Sequence, residues 1–234
     1  FVVEADPNAP NFAVPDLSPP LNISASRLGN RQQLLKTVDR FQQAQEVQAN
    51  RTAKTLSTFQ QKALELMTSE ATKSAFDIEQ EPEKLRDEYG RHSLGQSCLM
   101  SRRLVEAGVR CVLLDHTNWD THYNNFSVLK NDLLPHLDSA LSTMLRDLEE
   151  RGMLETTLLL ITGEFGRTPR VNVHAGRDHW GPSSAIAMAG AGIQGGTVVG
   201  ASNARAERPE MKLVVIDPRR TETADLADFF LQVR

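Results

Sequence analysis

Three clusters of polar side chains in the second half of the chain carry residue types that bind metal ions. They span residues 115–122, 163–168 and 174–181, and each contains carboxylates, histidines or arginines beside glycine or tryptophan. Carboxylate oxygens combined with imidazole nitrogens bind zinc, manganese or iron, whereas all-oxygen sets favour magnesium or calcium. The clusters therefore predict a divalent-cation site.

Asp120 and His122 form the most informative pair within these clusters. Residues two apart in an extended segment point their side chains to the same side, so both can reach one ion. Glu164 and His179 can complete the set. We predict that these four residues bind a divalent metal, with zinc or manganese preferred to calcium or magnesium. Such an ion would act as a Lewis acid on a phosphoryl or sulfuryl oxygen.

Each cluster also has a simpler interpretation. Glu164 could cap a helix or pair with Arg167, and Arg177 and Asp178 could form a surface ion pair. A single Asp-x-His pair in a loop is also common without a metal. Convergence of the three clusters on one edge of a sheet is what would favour a shared site.

The elements predicted around the clusters provide that convergence. Residues 109–114 and 156–162 are compact apolar runs typical of strands, and leucines at steps of three and four predict a helix over residues 123–150 between them. A strand–helix–strand order places both strands parallel, so the polar clusters that follow them would lie at the same edge of an open α/β sheet. Further strands are predicted at 185–189, 197–199 and 213–216.

The first part of the chain is predicted to be irregular and then helical. Residues 1–27 are proline-rich and extended, and residues 28–69 show a loose helical period that predicts two helices. A further helix is predicted from Pro82 to Gly90, and another from Ser93 to residue 107. Cys98 and Cys111 are both predicted to be small core residues.

Composition excludes some classes of partner. The chain has 234 residues, of which 40% are hydrophobic and 24% charged, with a net charge of −4. This charge gives no reason to expect a nucleic-acid partner. The apolar runs are strand-sized, so no membrane span is predicted.

Four ordered motifs carry a family resemblance. Residues 118–126, 163–169, 176–180 and 188–196 resemble an uncharacterised sulfatase-like bacterial family of the alkaline-phosphatase superfamily, over about residues 1–209. The resemblance implies the C-terminal half of a three-layer α/β/α sandwich, with a helical insertion at about 28–90. It also implies hydrolysis of sulfate or phosphate esters, on small-molecule or polysaccharide substrates.

The same resemblance implies roles for individual residues. Phe165 stands where a second histidine ligand would be expected. Two arginines could hold the anionic ester group because guanidinium matches its oxygens bidentately. The implied metal ligands are Asp120, His122, Glu164 and His179, and the implied substrate-binding residues are Arg167 and Arg177.

No segment before Asp115 resembles the family's nucleophile element, so this chain is expected to be inactive alone. The resemblance also implies that the full protein is exported or periplasmic. Residues 212–234 instead resemble a molybdopterin oxidoreductase segment, which predicts an atypical strand–helix tail from residue 210 and a chimeric end. The alternative function is a catalytically inactive, exported binding or scaffold protein that keeps the sulfatase-like fold.

Overall fold

The structure is a computed structural model that describes residues 2–14, 26–27, 30–31, 33–34, 69–203, 205, 214–217 and 229–232. The described residues form helices and small two-stranded sheets, a mixed α/β composition. The chain divides into two compact units. The N-terminal unit comprises Phe1–Asp115 and Ser139–Met144, and the C-terminal unit comprises His116–Asp138 and Leu145–Arg234. The two helices predicted within residues 28–69 fall almost entirely outside the described residues.

Helices build residues 70–106 of the N-terminal unit. They are α1 (Glu70–Phe76), a 3-10 turn (Ile78–Gln80), α2 (Glu83–Tyr89) and α3 (Ser93–Glu106). The predicted start of α2 after Pro82 and the predicted span of α3 are confirmed within one residue.

Local sequence explains how these helices begin and end. The Ser69 side chain accepts a hydrogen bond from the backbone N–H of Thr72 and caps α1. Gly90 ends α2 with a φ of +98°, which L side chains rarely adopt. A Cβ atom on Gly95 would meet the carbonyl oxygens of Tyr89 and Gly90, so glycine there allows α3 to approach the end of α2. The buried apolar side chains of this unit include Ile78, Tyr89 and Leu99.

The helix predicted over residues 123–150 is confirmed, with an internal distortion. It consists of α4 (Asn125–Val128), a π-helical segment (Leu129–Leu133) and α5 (Leu134–Glu150). Pro135 lies in the first turn of α5. Proline has no backbone N–H and its ring clashes with the carbonyl four residues earlier, which accounts for a widened turn just before it.

The strands differ from the prediction in their pairing. Strand β1 (Leu158–Thr162) pairs antiparallel with β4 (Ile186–Gly190), and β2 (Gly166–Arg167) pairs antiparallel with β3 (His179–Trp180). Strand β5 (Val214–Asp217) pairs in parallel with β6 (Phe229–Gln232). The strands predicted at 156–162, 185–189 and 213–216 are therefore confirmed, with small shifts at their ends.

Two strand predictions are wrong. Residues 109–114 and 197–199 form no strand, so the parallel pairing of 109–114 with 156–162 does not occur. Among the described residues, the apolar run 109–114 has no neighbouring strand to bond with, and strand formation depends on such a partner. Cys111 is consequently exposed, contrary to its predicted core position, while Cys98 is buried as predicted. The three-layer sandwich remains an expectation, because each sheet among the described residues has only two strands.

The described helices include none with both the length and the apolar character that a bilayer crossing requires.

Candidate metal centre

Asp120, His122 and His179 come together in the C-terminal unit. Each offers one ligand atom, and these atoms all lie within 4.8 Å of one another. The residues are separated by up to 59 positions in the chain, so tertiary structure creates the group. Three of the four residues predicted as metal ligands are thus brought to one place.

The Asp120 carboxylate lies at the centre of this cluster. Its Oδ1 atom is 2.8 Å from His179 Nε2, 2.7 Å from Arg167 Nη2 and 3.1 Å from His122 Nε2. The hydrogen bond from His179, followed by the one from Arg167, lowers the pKa of Asp120 to about 2. The carboxylate is therefore ionised throughout the neutral range, as a metal ligand must be.

A compact turn presents Asp120 and His122. The backbone N–H groups of Thr121 and His122 donate to the carbonyl oxygens of Trp119 and Asp120, at 2.9 and 3.0 Å. The buried Thr121 hydroxyl donates to Asn125 Oδ1 at 2.5 Å, which ties the turn to the first residue of α4. The start of the helix therefore determines where the two ligands lie.

The short ribbon formed by β2 and β3 supplies the other side of the cluster. Its register pairs Arg167 with His179 and Gly166 with Trp180. A Cβ atom on Gly166 would lie 1.9 Å from the carbonyl oxygen of Ser183, so only glycine fits there. The ribbon therefore places the arginine and the histidine side by side next to Asp120.

The loop between β2 and β3 is held against the His122 turn. Asn172 Oδ1 accepts from the backbone N–H groups of His174 and Gly176, and Asn172 Nδ2 donates to the carbonyl oxygen of His122 at 3.1 Å. A Cβ atom on Gly176 would lie 1.8 Å from that same carbonyl. Sequence reasoning did not single out Asn172, because its role depends on contacts across 50 residues.

Both arginines that were predicted to bind substrate hold backbone carbonyl groups. Arg167 donates to the carbonyl oxygens of Trp119 and Arg177, at 2.8 and 3.2 Å, in addition to Asp120. Arg177 donates to the carbonyl oxygens of Thr168 and Arg167, at 2.6 and 2.9 Å. These bonds show that both residues organise the site, and contact with a substrate anion remains a prediction for each.

Glu164 and Phe165 follow β1 and have different environments. Glu164 is exposed and lies outside the group formed by Asp120, His122 and His179. The ring of Phe165 packs on the ring of His179, with centroids 4.2 Å apart and planes tilted by 36°. Phe165 thus restrains one ligand by packing, whereas ligation by Glu164 remains a prediction.

Asp178 is a further member of the site. Its Oδ1 atom is 2.7 Å from His122 Nδ1 and accepts a hydrogen bond from Asn172 Nδ2 at 3.0 Å. The contact with His122, and then the one with Asn172, lowers the pKa of Asp178 below its ordinary range. The sequence allowed an ion pair of Asp178 with Arg177, but its carboxylate instead contacts His122 and Asn172.

These features define a mixed α/β protein in which a turn and a short two-stranded ribbon gather one aspartate and two histidines around a candidate metal position. The chain belongs to a family of proteins of unknown function, DUF1501, whose model matches residues 2–217. No curated protein and no solved structure matches the chain.

This membership corrects the resemblance drawn from the motifs. DUF1501 is a distinct family, and no sulfatase or alkaline-phosphatase family matches, so the assignment to a sulfatase-like family is wrong. The match also continues through residue 217, into the segment that was compared with molybdopterin oxidoreductases. The molybdopterin oxidoreductase resemblance is therefore corrected as well. Short runs of Asp, His, Arg and Gly are typical of metal sites and tight turns in many folds, so they indicate chemistry more specifically than ancestry.

Proposed function

We propose that this chain binds a divalent transition-metal ion through Asp120, His122 and His179, and that the centre serves hydrolysis of a sulfate or phosphate ester. The observation that supports the proposal is the convergence of three ligand atoms within 4.8 Å from separate parts of the chain. One carboxylate and two imidazoles form a donor set that suits zinc or manganese.

The accessibility of the cluster favours a reactive site over a structural one. The side chains of Asp120 and His179 are 67% and 50% exposed. Three protein ligands leave at least one coordination position for a substrate or water, whereas structural zinc sites are closed by four protein ligands. A divalent cation bound here would act as a Lewis acid on an ester oxygen.

The charges around the cluster support an anionic substrate. Asp120 and Asp178 are negative and Arg167 is positive, which leaves one net negative charge when both histidines are neutral. A divalent cation converts this to one net positive charge. Arg167, whose side chain is only 18% exposed, keeps Asp120 in place while adding to the positive potential that an ester anion would meet.

Metal titration tests the binding part of the proposal. Chelator-treated protein is titrated with zinc and with manganese by calorimetry, and the bound metal is measured by elemental analysis. We expect one equivalent in the wild-type protein and none in an Asp120→Ala, His122→Ala double variant. The matched control is an Asp132→Ala, His136→Ala variant, which removes another contacting Asp–His pair of the same unit. A folded wild-type protein that takes up no metal, or a double variant that keeps it, contradicts the proposal.

Hydrolysis is tested separately on the metal-loaded protein. Aryl phosphate and aryl sulfate esters are supplied as substrates, and release of the phenol is followed with and without chelator. We expect chelator-sensitive turnover of at least one ester class. Stoichiometric metal binding without turnover of either ester class would support the metal site and refute the hydrolytic activity.

A second candidate function is a binding or scaffold role without catalysis. The observation that favours it is that Asp120 Oδ1 is already contacted by Arg167, His179 and His122, so the cluster can hold its loops together without an ion. This function predicts no metal uptake and a loss of thermal stability in an Asp120→Ala variant. The titration above therefore distinguishes the two candidates.

A further inference from the structure

We infer that Asp178 is a positioning residue that fixes the ring orientation and the tautomer of His122, so that the Nε2 atom of His122 faces the metal position. The inference rests on the proposed metal centre and adds to it a residue that is not itself a ligand.

The two ring nitrogens of His122 face different partners. Nδ1 lies 2.7 Å from Asp178 Oδ1, and Nε2 lies 3.1 Å from Asp120 Oδ1. An ionised carboxylate only accepts hydrogen bonds, so in the neutral ring the hydrogen bond with Asp178 requires the proton on Nδ1; the contact of Nε2 with Asp120 is at ion-pair distance but lacks hydrogen-bond geometry. The Nε2 lone pair of the neutral ring is then directed into the cluster, where Arg167 Nη1 lies 3.5 Å away as a donor.

Asp178 is itself held in place on both its side chain and its backbone. Asn172 Nδ2 donates to the same Oδ1 atom that contacts His122, at 3.0 Å. The backbone N–H of Asp178 donates to Thr168 Oγ1 at 3.0 Å, and its carbonyl oxygen accepts from the Thr168 N–H at 2.8 Å. A carboxylate fixed by these bonds can impose an orientation on the ring it contacts.

Asp178 and His179 are adjacent in the chain and have different roles in the site. His179 supplies a candidate ligand atom, while Asp178 contacts Nδ1 of the other histidine ligand, His122. Neighbouring residues of an extended segment point to opposite sides, which allows one dipeptide to do both. A histidine that binds a metal commonly donates its other N–H to a carboxylate, and removal of that partner typically costs about 10–100-fold in metal affinity.

The experiment compares Asp178→Ala and Asp178→Asn with the wild-type protein. Zinc affinity is measured by competition with a chromophoric chelator, and the tautomer of His122 is read by long-range proton–nitrogen NMR on the metal-free protein at a pH where its ring is neutral. Asp132→Ala is the matched control, because it removes an aspartate that contacts Nδ1 of His136 outside the cluster.

We expect Asp178→Ala to weaken zinc binding about 10–100-fold and to convert His122 from the Nδ1–H form to a mixture of tautomers. Asp178→Asn should recover much of the tautomer preference, because its amide oxygen still accepts a hydrogen bond from Nδ1. The control should match the wild-type protein in both measurements.

The outcomes separate this inference from the proposed metal centre. A wild-type protein that binds no zinc refutes the centre, and an unchanged His122 tautomer in both Asp178 variants refutes the positioning role whether or not zinc binds. Zinc binding by Asp178→Ala within threefold of the wild-type value also overturns the inference. If Asp178→Ala fails to fold, the affinity criterion applies to Asp178→Asn, which keeps the hydrogen-bond acceptor but loses the negative charge and should bind zinc more than threefold more weakly than the wild-type protein.

Discussion

Two clusters of charged side chains, one in each unit, have similar composition and different surroundings. In the N-terminal unit, Glu81 Oε1 lies 2.8 Å from Arg102 Nη2 in an ion pair and accepts a hydrogen bond from Arg103 Nη1. In the C-terminal unit, Asp120 Oδ1 is contacted by one arginine and two histidines. The side chains of Glu81 and Arg102 are 9% and 0% exposed, whereas that of Asp120 is 67% exposed.

Burial separates a structural ion cluster from a candidate ligand site. Arg103 also donates to the carbonyl oxygens of Ser74 and Ala75, so the buried cluster ties α1 to α3. Burial raises the pKa of Glu81, but the hydrogen bonds from Arg102 and Arg103 outweigh it and the net pKa is lowered. The exposed cluster gains less stability from its charges because water screens them, and its ligand atoms remain accessible.

The largest effect we expect is on stability in the buried cluster. Glu81→Gln leaves two guanidinium groups without their shared carboxylate and should lower the free energy of unfolding by about 3 kcal/mol, the low end for breaking a buried pair. The low end applies because Arg102 keeps its bond to Glu106 at 2.6 Å. Urea denaturation measures the change. The control, Asp87→Asn, removes an exposed pair with Arg91 and should cost at most about 0.5 kcal/mol. Equal effects of the two substitutions would refute the structural role of Glu81.

The exposed cluster should instead respond to metal. Free zinc at 100 times its dissociation constant should raise the free energy of unfolding by about 2.7 kcal/mol, because the ion binds only the folded site. Thermal unfolding with zinc, and again after chelation, measures this gain. Asp120→Asn should abolish the gain and Glu81→Gln should retain it. A gain that survives in Asp120→Asn would place the zinc elsewhere.

Lowering the pH should reduce the stability that the buried cluster contributes. Because the folded pKa of Glu81 is lowered, its contribution to stability is complete above the ordinary glutamate value of 4.5 and is lost as the pH falls through the lowered folded pKa. The difference in unfolding free energy between the wild-type protein and Glu81→Gln should therefore shrink as the pH decreases below that value. Denaturation at a series of pH values checks this, and a constant or growing difference contradicts it.

The smallest effect concerns thiol reactivity. Burial raises the pKa of Cys98, on α3, to about 12, whereas Cys111 is exposed. One thiol per chain should react quickly with a chromogenic disulfide reagent, and the second should react only when the N-terminal unit opens. Glu81→Gln should accelerate this second reaction and Asp120→Asn should not. Rapid reaction of both thiols in the wild-type protein would contradict the burial of Cys98.

The sequence predicted the ends of helices better than the pairing of strands. Pro82 and Gly90 marked the ends of α2, and the leucine period marked the helix that runs through α5, because capping and amphipathic period are local properties. The apolar run 109–114 looked like a strand and is not one. Whether such a run becomes a strand depends on a neighbour that local composition does not specify.

In the candidate site, too, the residue types were predictable from the sequence and their contacts were not. Asp120, His122 and His179 were identified because carboxylate and imidazole suit a divalent cation, and they do converge. They converge through the β2–β3 ribbon and the turn before α4, although the expected route was the edge of a parallel sheet. Asn172 and the orienting role of Asp178 were not found, because an amide or a carboxylate in a loop acquires such a role only through its contacts.

The sequence by itself determined which residues can carry metal chemistry and where helices begin and end, since side-chain chemistry and backbone preference are properties of each residue and its near neighbours. Only the tertiary structure decided which carboxylate is buried between arginines and which is exposed among histidines. This difference in burial depends on solvent access and on contacts across as many as 59 residues, and it separates Glu81, a stabilising residue, from Asp120, a candidate ligand.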